Sequence, residues 1–292
     1  MLVVAPALDD QARATARRRD LDLPRHRAMA LGMTALEAIE RGWFEDAAGA
    51  RVSIQSALAS AVERTRSLPP DASLPAPPPE RYAATRVCVT NETTLGAARR
   101  LVDAGRVPLA LNFANGAQPG GGFLQGARAQ EEAICRSSGL YATLRDDPMY
   151  DAHRRRPRPD STAWCILSPD VPVFRRDDGE SLSSPWPLSV LTCAAPYAPG
   201  VGQPEAGDLL AARIERVLAV AHAFGNDTLV LGAWGCGAFG NDTARTARDF
   251  RDALAGPFAG AFDEVVFAIA DWSAERRFLG PFREAFAAIV SA

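Results

Sequence analysis

The sequence predicts an α/β fold in which helices pack on a mainly parallel or mixed sheet, preceded by an N-terminal helical extension. Three observations carry this reading. From about residue 85 onward, short apolar runs alternate with segments of helical period, the pattern of helices layered on a sheet. Two glycine-rich loops, Gly120-Gly121-Gly122 and Gly235-Cys236-Gly237-Ala238-Phe239-Gly240, each follow an apolar run. Between Leu68 and Pro79 stand Pro69, Pro70, Pro75, Pro77, Pro78 and Pro79, a density that reads as an extended linker. The chain therefore divides into residues 1–80, a helical accessory region with its linker, and residues 81–292, which carry both glycine loops.

Taken in order, residues 10–68 read as helical. Ala28, Met29, Leu31, Leu36 and Ile39 recur at helical spacing, as do Val52, Ile54, Leu58 and Val62, with Gly42 and Gly49 bracketing the break. Arg86-Val87-Cys88-Val89 reads as a strand, and Thr93 to Ala104 as a helix ended by Gly105. The apolar run from Val107 to Asn115 is a buried strand that delivers the triple glycine to its C-terminal end. A helix follows from Glu131 to Leu144, then an exposed Arg-rich loop, Arg154-Arg155-Arg156-Pro157-Arg158-Pro159, which reads as a solvated face. Strands recur at residues 188–193, 228–232 and 264–270, and helices at 207–224, 243–254 and 273–289.

Composition narrows the chemistry. A 47% hydrophobic content suffices for a sizeable core, and no stretch approaches the ~18 apolar residues of a membrane span. Five cysteines are scattered without a Cys-x-x-Cys pair, which points to a reducing compartment, by default the cytoplasm, and away from disulfides or zinc. The three histidines, His26, His153 and His222, have no ligand-spaced partners and read as incidental, so no metal and no cofactor is expected. A net charge of −3 opposes broad binding to nucleic acid. The chain contains no lysine, which excludes a Schiff base and a Walker A loop.

The most informative run is Gly120-Gly121-Gly122-Phe123-Leu124-Gln125-Gly126-Ala127-Arg128-Ala129-Gln130-Glu131-Glu132. Bare backbone that can approach a phosphate stands beside two carboxylates that can handle protons. The second loop is literally a G-x-G-x-x-G between a strand and a helix, the form of a dinucleotide fingerprint. Asp271, the acidic residue closing the next strand, lies well beyond the usual ~20 positions past Gly240, which counts against a dehydrogenase. The two loops together can instead cradle one pyrophosphate from opposite sides, with Asn241 or Thr243 capping the following helix.

The first run resembles the GGG-x(6–8)-QEE signature of the poly(ADP-ribose) glycohydrolases, and its surroundings are similar to the bacterial-type, macrodomain-like branch. Those surroundings are Asn112-Phe113-Ala114-Asn115, Arg136-Ser137-Ser138-Gly139-Leu140-Tyr141, Ser168-Pro169-Asp170-Val171-Pro172-Val173-Phe174 and Gly235 to Asn241. The resemblance covers residues from about 20 to about 285. It implies a macrodomain-like mixed sheet sandwiched between helices and release of ADP-ribose from poly(ADP-ribose), at chain ends if the helical appendage blocks the groove. It implies that Phe239 lies against the terminal ribose, with core packing as the alternative, and that Asn115 contacts the distal ribose or simply closes the turn. Adenine recognition by the turn holding Glu92 and Thr93 is implied equally with a plain helix cap there. Asn112 departs from the aspartate of the larger eukaryotic-type enzymes. Two other readings stay open, a mono-ADP-ribosyl hydrolase and a macrodomain that binds ADP-ribose without cutting it.

Paired glycosidase carboxyls flank their bond at ~5–9 Å, whereas adjacent residues diverge. One acid/base is therefore expected. Glu132 would protonate the glycosidic oxygen and then activate water, its pKa raised by burial and by Glu131. Glu131 and Gln130 would hold the ribose hydroxyls. The expected partners are poly(ADP-ribose) or ADP-ribosylated proteins as substrate and ADP-ribose as product.

Overall fold

The run from Pro108 to Ala114 is apolar on both faces because both faces are covered. Leu109 and Leu111 point into one core and Ala110 into another, and Val265 and Phe267 alternate with Val266 and Ala268 in the same way. The computed structural model of the chain describes residues 1–79 and 82–287, so the division between residues 80 and 81 lies outside the described residues.

The chain opens with β1 (Leu2–Val4), α1 (Gln11–Leu21), α2 (Arg25–Arg41), β2 (Trp43–Glu45), β3 (Arg51–Ser53), α3 (Gln55–Arg64) and β4 (Arg66–Leu68). Next come β5 (Thr85–Thr90), α4 (Thr94–Asp103), β6 (Pro108–Ala114), α5 (Gln130–Ser137), α6 (Leu140–Leu144) and α7 (Pro148–Arg154). The long hairpin β7 (Cys165–Arg175) and β8 (Ser181–Ala194) leads to α8 (Ala198–Val201) and α9 (Glu205–Ala223). The chain then runs through β9 (Thr228–Leu231), α10 (Thr243–Ala255), β10 (Glu264–Ala268) and α11 (Leu279–Ala287).

One sheet has the order β1-β5-β10-β9-β6-β8-β7-β4. Pairing is parallel from β1 through β8 and antiparallel for β8 with β7 and β7 with β4. Helices α9, α10 and α11 cover one face, and α4, α5, α6 and α7 the other. The expected mixed sheet between helices is what the chain forms.

Five elements differ from the sequence reading. Val52 lies in β3 and Ile54 caps α3, because Gly42 ends α2 and starts a β2–β3 hairpin. Strand β7 was missed because Pro169 and Pro172 argue against a strand. A register shift between Ser168 and Val171 accommodates Pro169, with Asp170 at φ 51°, while Pro172 stays in register with Pro187. The helix expected over residues 131–144 breaks at Ser138, where the chain bridges to Val173 and the Gly139 amide donates to Pro172 O at 2.9 Å. Helix α7 carries an Asp147 cap and Pro148 in its first turn, a start signal that could have been read. The helix expected at residues 273–289 begins at Leu279, and its last two positions lie outside the described residues.

The N-terminal segment braces the loop before α5. Arg25 donates to Gln125 O at 3.0 Å, and Arg128 reaches Asp22 at 2.8 Å and Leu23 O at 2.7 Å. The Arg128–Asp22 pair is half-exposed and contributes at most ~1 kcal/mol. Close packing matters more. A methyl group on Gly32 of α2 would sit 2.5 Å from Phe123 O and 3.1 Å from Phe123 C, where backbone cannot give way. We expect Gly32→Leu to destabilise the protein by about 1–3 kcal/mol in urea unfolding. A midpoint equal to wild type would mean that α2 is free to move off this loop.

Candidate active site

The loops that follow β5, β6, β9 and β10 gather at one edge of the sheet around a cavity of about 430 Å³, the edge where open α/β sheets bind ligands. Helix α5 begins at its wall, and its first three residues divide the work there. Gln130 is tied into the sheet. Its Oε1 accepts from Phe113 N at 2.9 Å, and Nε2 donates to Leu111 O at 2.7 Å and Thr94 Oγ1 at 3.0 Å. Both amide hydrogens are thus engaged by protein, so Gln130 lines the cavity but fixes the start of α5 rather than holding ribose hydroxyls as expected.

Glu131 and Glu132 are both buried. Glu131 Oε2 accepts from Asn115 N at 2.7 Å and Oε1 from Asn112 Nδ2 at 3.3 Å, so the asparagine donates where an aspartate would repel. Burial pushes the Glu131 carboxyl up to about 8, with its charged neighbour adding to the rise, while hydrogen bonds from Asn115 and Asn112 oppose it. Glu132 Oε1 accepts from Gly122 N at 2.9 Å. Its Oε2 is buried and has no hydrogen-bond partner among the described residues. The other three carboxylate oxygens of the pair all accept hydrogen bonds from protein.

The triple glycine owes its bareness to these carboxylates. At Gly121, where φ is 57°, a methyl group would lie 2.3 Å from Glu132 Oε1 and 3.0 Å from Glu131 Oε2. Gly121 N donates to Gln118 O, Gly122 N to Glu132, and Gly120 N to Glu131. Gly120, Gly121 and Gly122 are not among the cavity-lining residues. The close approach assigned from sequence to a phosphate is made to the two glutamates.

The second loop does face the cavity, through Gly235, Gly237, Ala238 and Phe239. Among the described residues, the amides of Gly237, Ala238 and Phe239 make no intramolecular hydrogen bond. Cys236 and Gly240 lie outside the lining. Cys236 is buried, its thiol donates to Trp234 O, and burial raises it to about 11. Asp242, not Asn241 or Thr243, caps α10; Asn241 donates to Pro196 O and Gly235 O and cinches the loop. Phe239 packs edge-on against Tyr197 at 5.8 Å. Asn115 lines the cavity, and its Oδ1 accepts from Ala117 N and Gln118 N, closing the turn.

At the other end, Glu92 and Thr93 line the cavity. Glu92 accepts from Nε and Nη2 of Arg100, and Thr93 caps α4 while donating to Asp177 Oδ2 at 2.6 Å. Leu21, Phe113, Arg128, Asp177, Trp272 and Phe278 also line the wall and were missed; Phe113 and Arg128 stand inside the runs that carry the resemblance, and the other four belong to no motif. Asp271 offered a signal. It accepts from Ser273 N and Oγ, Phe278 N and Leu279 N, folding the loop that presents Trp272 and Phe278. Burial opposes its ionisation, yet these bonds hold it below the usual range.

His153 is not incidental. It is buried, Thr162 N donates to its Nε2, and Nδ1 therefore donates to Gly116 O at 3.0 Å, bracing the loop after β6. Burial lowers it to about 4, so it is neutral at pH 7. Among the described residues no group of three His, Cys, Asp or Glu side chains is placed to hold a metal ion. No helix among them is long and apolar enough to cross a membrane.

Residues 33–176 match the family model described as microbial-type PARG, catalytic domain. The chain is similar to the crystal structure of poly(ADP-ribose) glycohydrolase (PARG) from Thermomonospora curvata, with 43% identity and a TM-score of 0.84, over 89% of this chain and 100% of that one. The same enzyme bound to the inhibitor ADP-HPD matches with 43% identity and a TM-score of 0.80, over 89% and 99%. The Deinococcus radiodurans enzyme in complex with ADP-ribose matches with 38% identity and a TM-score of 0.71, over 80% and 97%. No curated protein matches the chain significantly.

The raised Glu131 carboxyl has a consequence for stability. Its folded value of about 8 exceeds the ordinary 4.5, so the native state holds this proton more tightly. The stabilisation is full below about pH 4.5 and is lost as pH rises toward about 8, a loss of a few kcal/mol. Glu131→Gln lacks that proton. Urea unfolding at fixed pH should show wild type losing stability relative to Glu131→Gln between about pH 5 and pH 8. Parallel profiles would place this carboxyl in contact with water.

Proposed function

This chain belongs to the microbial-type poly(ADP-ribose) glycohydrolases, and on that premise we propose that it releases ADP-ribose from the ends of poly(ADP-ribose) with Glu132 as its single general acid and base. The observation that carries this reading is Glu132 Oε2, a buried carboxylate oxygen on the cavity wall with no partner among the described residues.

Glu132, in its protonated form, gives its proton to the oxygen joining two riboses as the C1″–O bond breaks. The pair of bonding electrons leaves with the oxygen, and the ribosyl centre becomes an oxocarbenium ion. Water then adds to C1″ while Glu132 takes back a proton, which restores the starting state. No protein nucleophile is needed, because the neighbouring diphosphate shares in stabilising the cation. Glu131, neutral and held by Asn112 and Asn115, has an O–H with which to fix a ribose oxygen.

The free amides of Gly237, Ala238 and Phe239 form a nest for the diphosphate, close to the start of α10. Glu92 and Thr93 mark the adenine end, with Trp272 and Phe278 offering aromatic faces. Residues Leu21 to Leu23 close one flank of the cleft together with Arg128, which supports cleavage at chain ends.

Incubation with auto-modified polymer and chromatography of the products tests the assignment. Glu132→Gln should lower ADP-ribose release by about 10²–10⁴-fold, with ADP-ribose still binding in calorimetry. Retention of most activity would remove Glu132 from this role. Gly121→Ala, whose methyl group displaces the Glu132 carboxylate without changing it, should cost roughly 10²-fold in kcat. Wild-type turnover in that variant would show that the triglycine does not position the acid.

A further inference from the structure

The arginine-rich segment at residues 154–158 plays no part in the chemistry above, yet it runs along the catalytic mouth. Arg154 Nη1 donates to Ala117 O at 2.6 Å, two residues past the Asn115 amide that holds Glu131. At its other end, Pro159 O accepts from Tyr197 N at 3.1 Å, and the Tyr197 ring rests on Phe239. The segment therefore spans from the first cavity loop to the rim of the second. Residues 154–159 are all exposed.

Its charge is only loosely committed. Arg154 pairs with Asp151, Arg156 with Asp160 and Arg158 with Glu205. Arg155 makes no ion pair among the described residues. The Arg154 and Arg158 pairs are about half-exposed and weak, so a phosphate can compete for these guanidinium groups, whose planar forks suit phosphate oxygens.

We propose that this segment is an exosite for the part of the polymer on the leaving side of the scissile bond, binding the diphosphate of the ADP-ribose unit next to the one in the cavity. This rests on the glycohydrolase reading. The oxygen that Glu132 protonates belongs to that neighbouring unit, so the remaining chain must emerge at the mouth beside the carboxylates. Each further unit carries another diphosphate toward Arg155 and Arg158. The exosite raises affinity for long chains and leaves the chemical step alone.

The test compares wild type with Arg155→Glu/Arg158→Glu on size-fractionated long polymer and on the two-unit fragment. Arg154 is kept because it supports the loop at Ala117. We expect KM for long polymer to rise about tenfold with kcat unchanged, and the salt slope of log kcat/KM to fall by about two. KM for the two-unit fragment, which carries that neighbouring diphosphate, should rise as well, and calorimetric affinity for ADP-ribose should stay the same. Arg155→Lys/Arg158→Lys, which keeps the charge, should retain most of the long-polymer affinity. If the glutamate variant cleaves long polymer with wild-type KM and salt slope, the exosite is wrong and the glycohydrolase reading stands. Equal losses on ADP-ribose binding would also overturn it, by showing damage to the cavity itself. Wild type that binds labelled long polymer through this segment without cleaving it would refute the glycohydrolase reading alone.

Discussion

Two neighbouring carboxyls taken out of water set the terms for the rest of this structure. Each ionised carboxylate costs several kcal/mol to bury, and the pair adds mutual repulsion. The surroundings answer that cost atom by atom. Asn112 and the amides of Asn115 and Gly120 hold Glu131, the Gly122 amide holds one oxygen of Glu132, and Glu131 keeps its proton near neutrality. Only glycine at position 121 lets backbone come this close. The fourth oxygen has no hydrogen-bond partner among the described residues.

Holding that arrangement recruits elements far apart in the chain. Gln130 stitches α5 to β6 and α4, and His153 of α7 braces Gly116. Helix α2 presses on the loop from below, through Gly32 against Phe123. Surface ion pairs around this loop add little, because they stay in contact with water. The rigidity comes from buried hydrogen bonds and backbone contact, which leave α5 one place to start.

Much of this was legible in the residues. The apolar runs at β5, β6, β9 and β10 stand out because both faces of the central strands are covered, so nothing interrupts them. Strand β7 was hidden by its own prolines, one of which a register shift absorbs. Strands β1 and β4, three residues each, are too short to show a period. In the site, Glu131, Glu132, Asn115 and Phe239 were legible because they adjoin glycine loops. Asp177, Trp272 and Phe278 were not, since only the fold brings them near. The sequence reading also gave the triglycine the wrong neighbour: a bare backbone announces that something comes close, without saying what.

The cavity wall is drawn from Leu21 near one end of the chain and Phe278 near the other. Strand β5 pairs with β1 on one side and with β10, almost two hundred residues later, on the other. Contacts of such long sequence separation slow folding. During synthesis the two glutamates, their glycine turn and their bracing helices emerge well before the aromatic end of the pocket exists. A nascent or prematurely terminated chain would display the carboxylates without a complete cleft around them. Assembly of the cavity is thus coupled to the arrival of β10 and the loop that follows it.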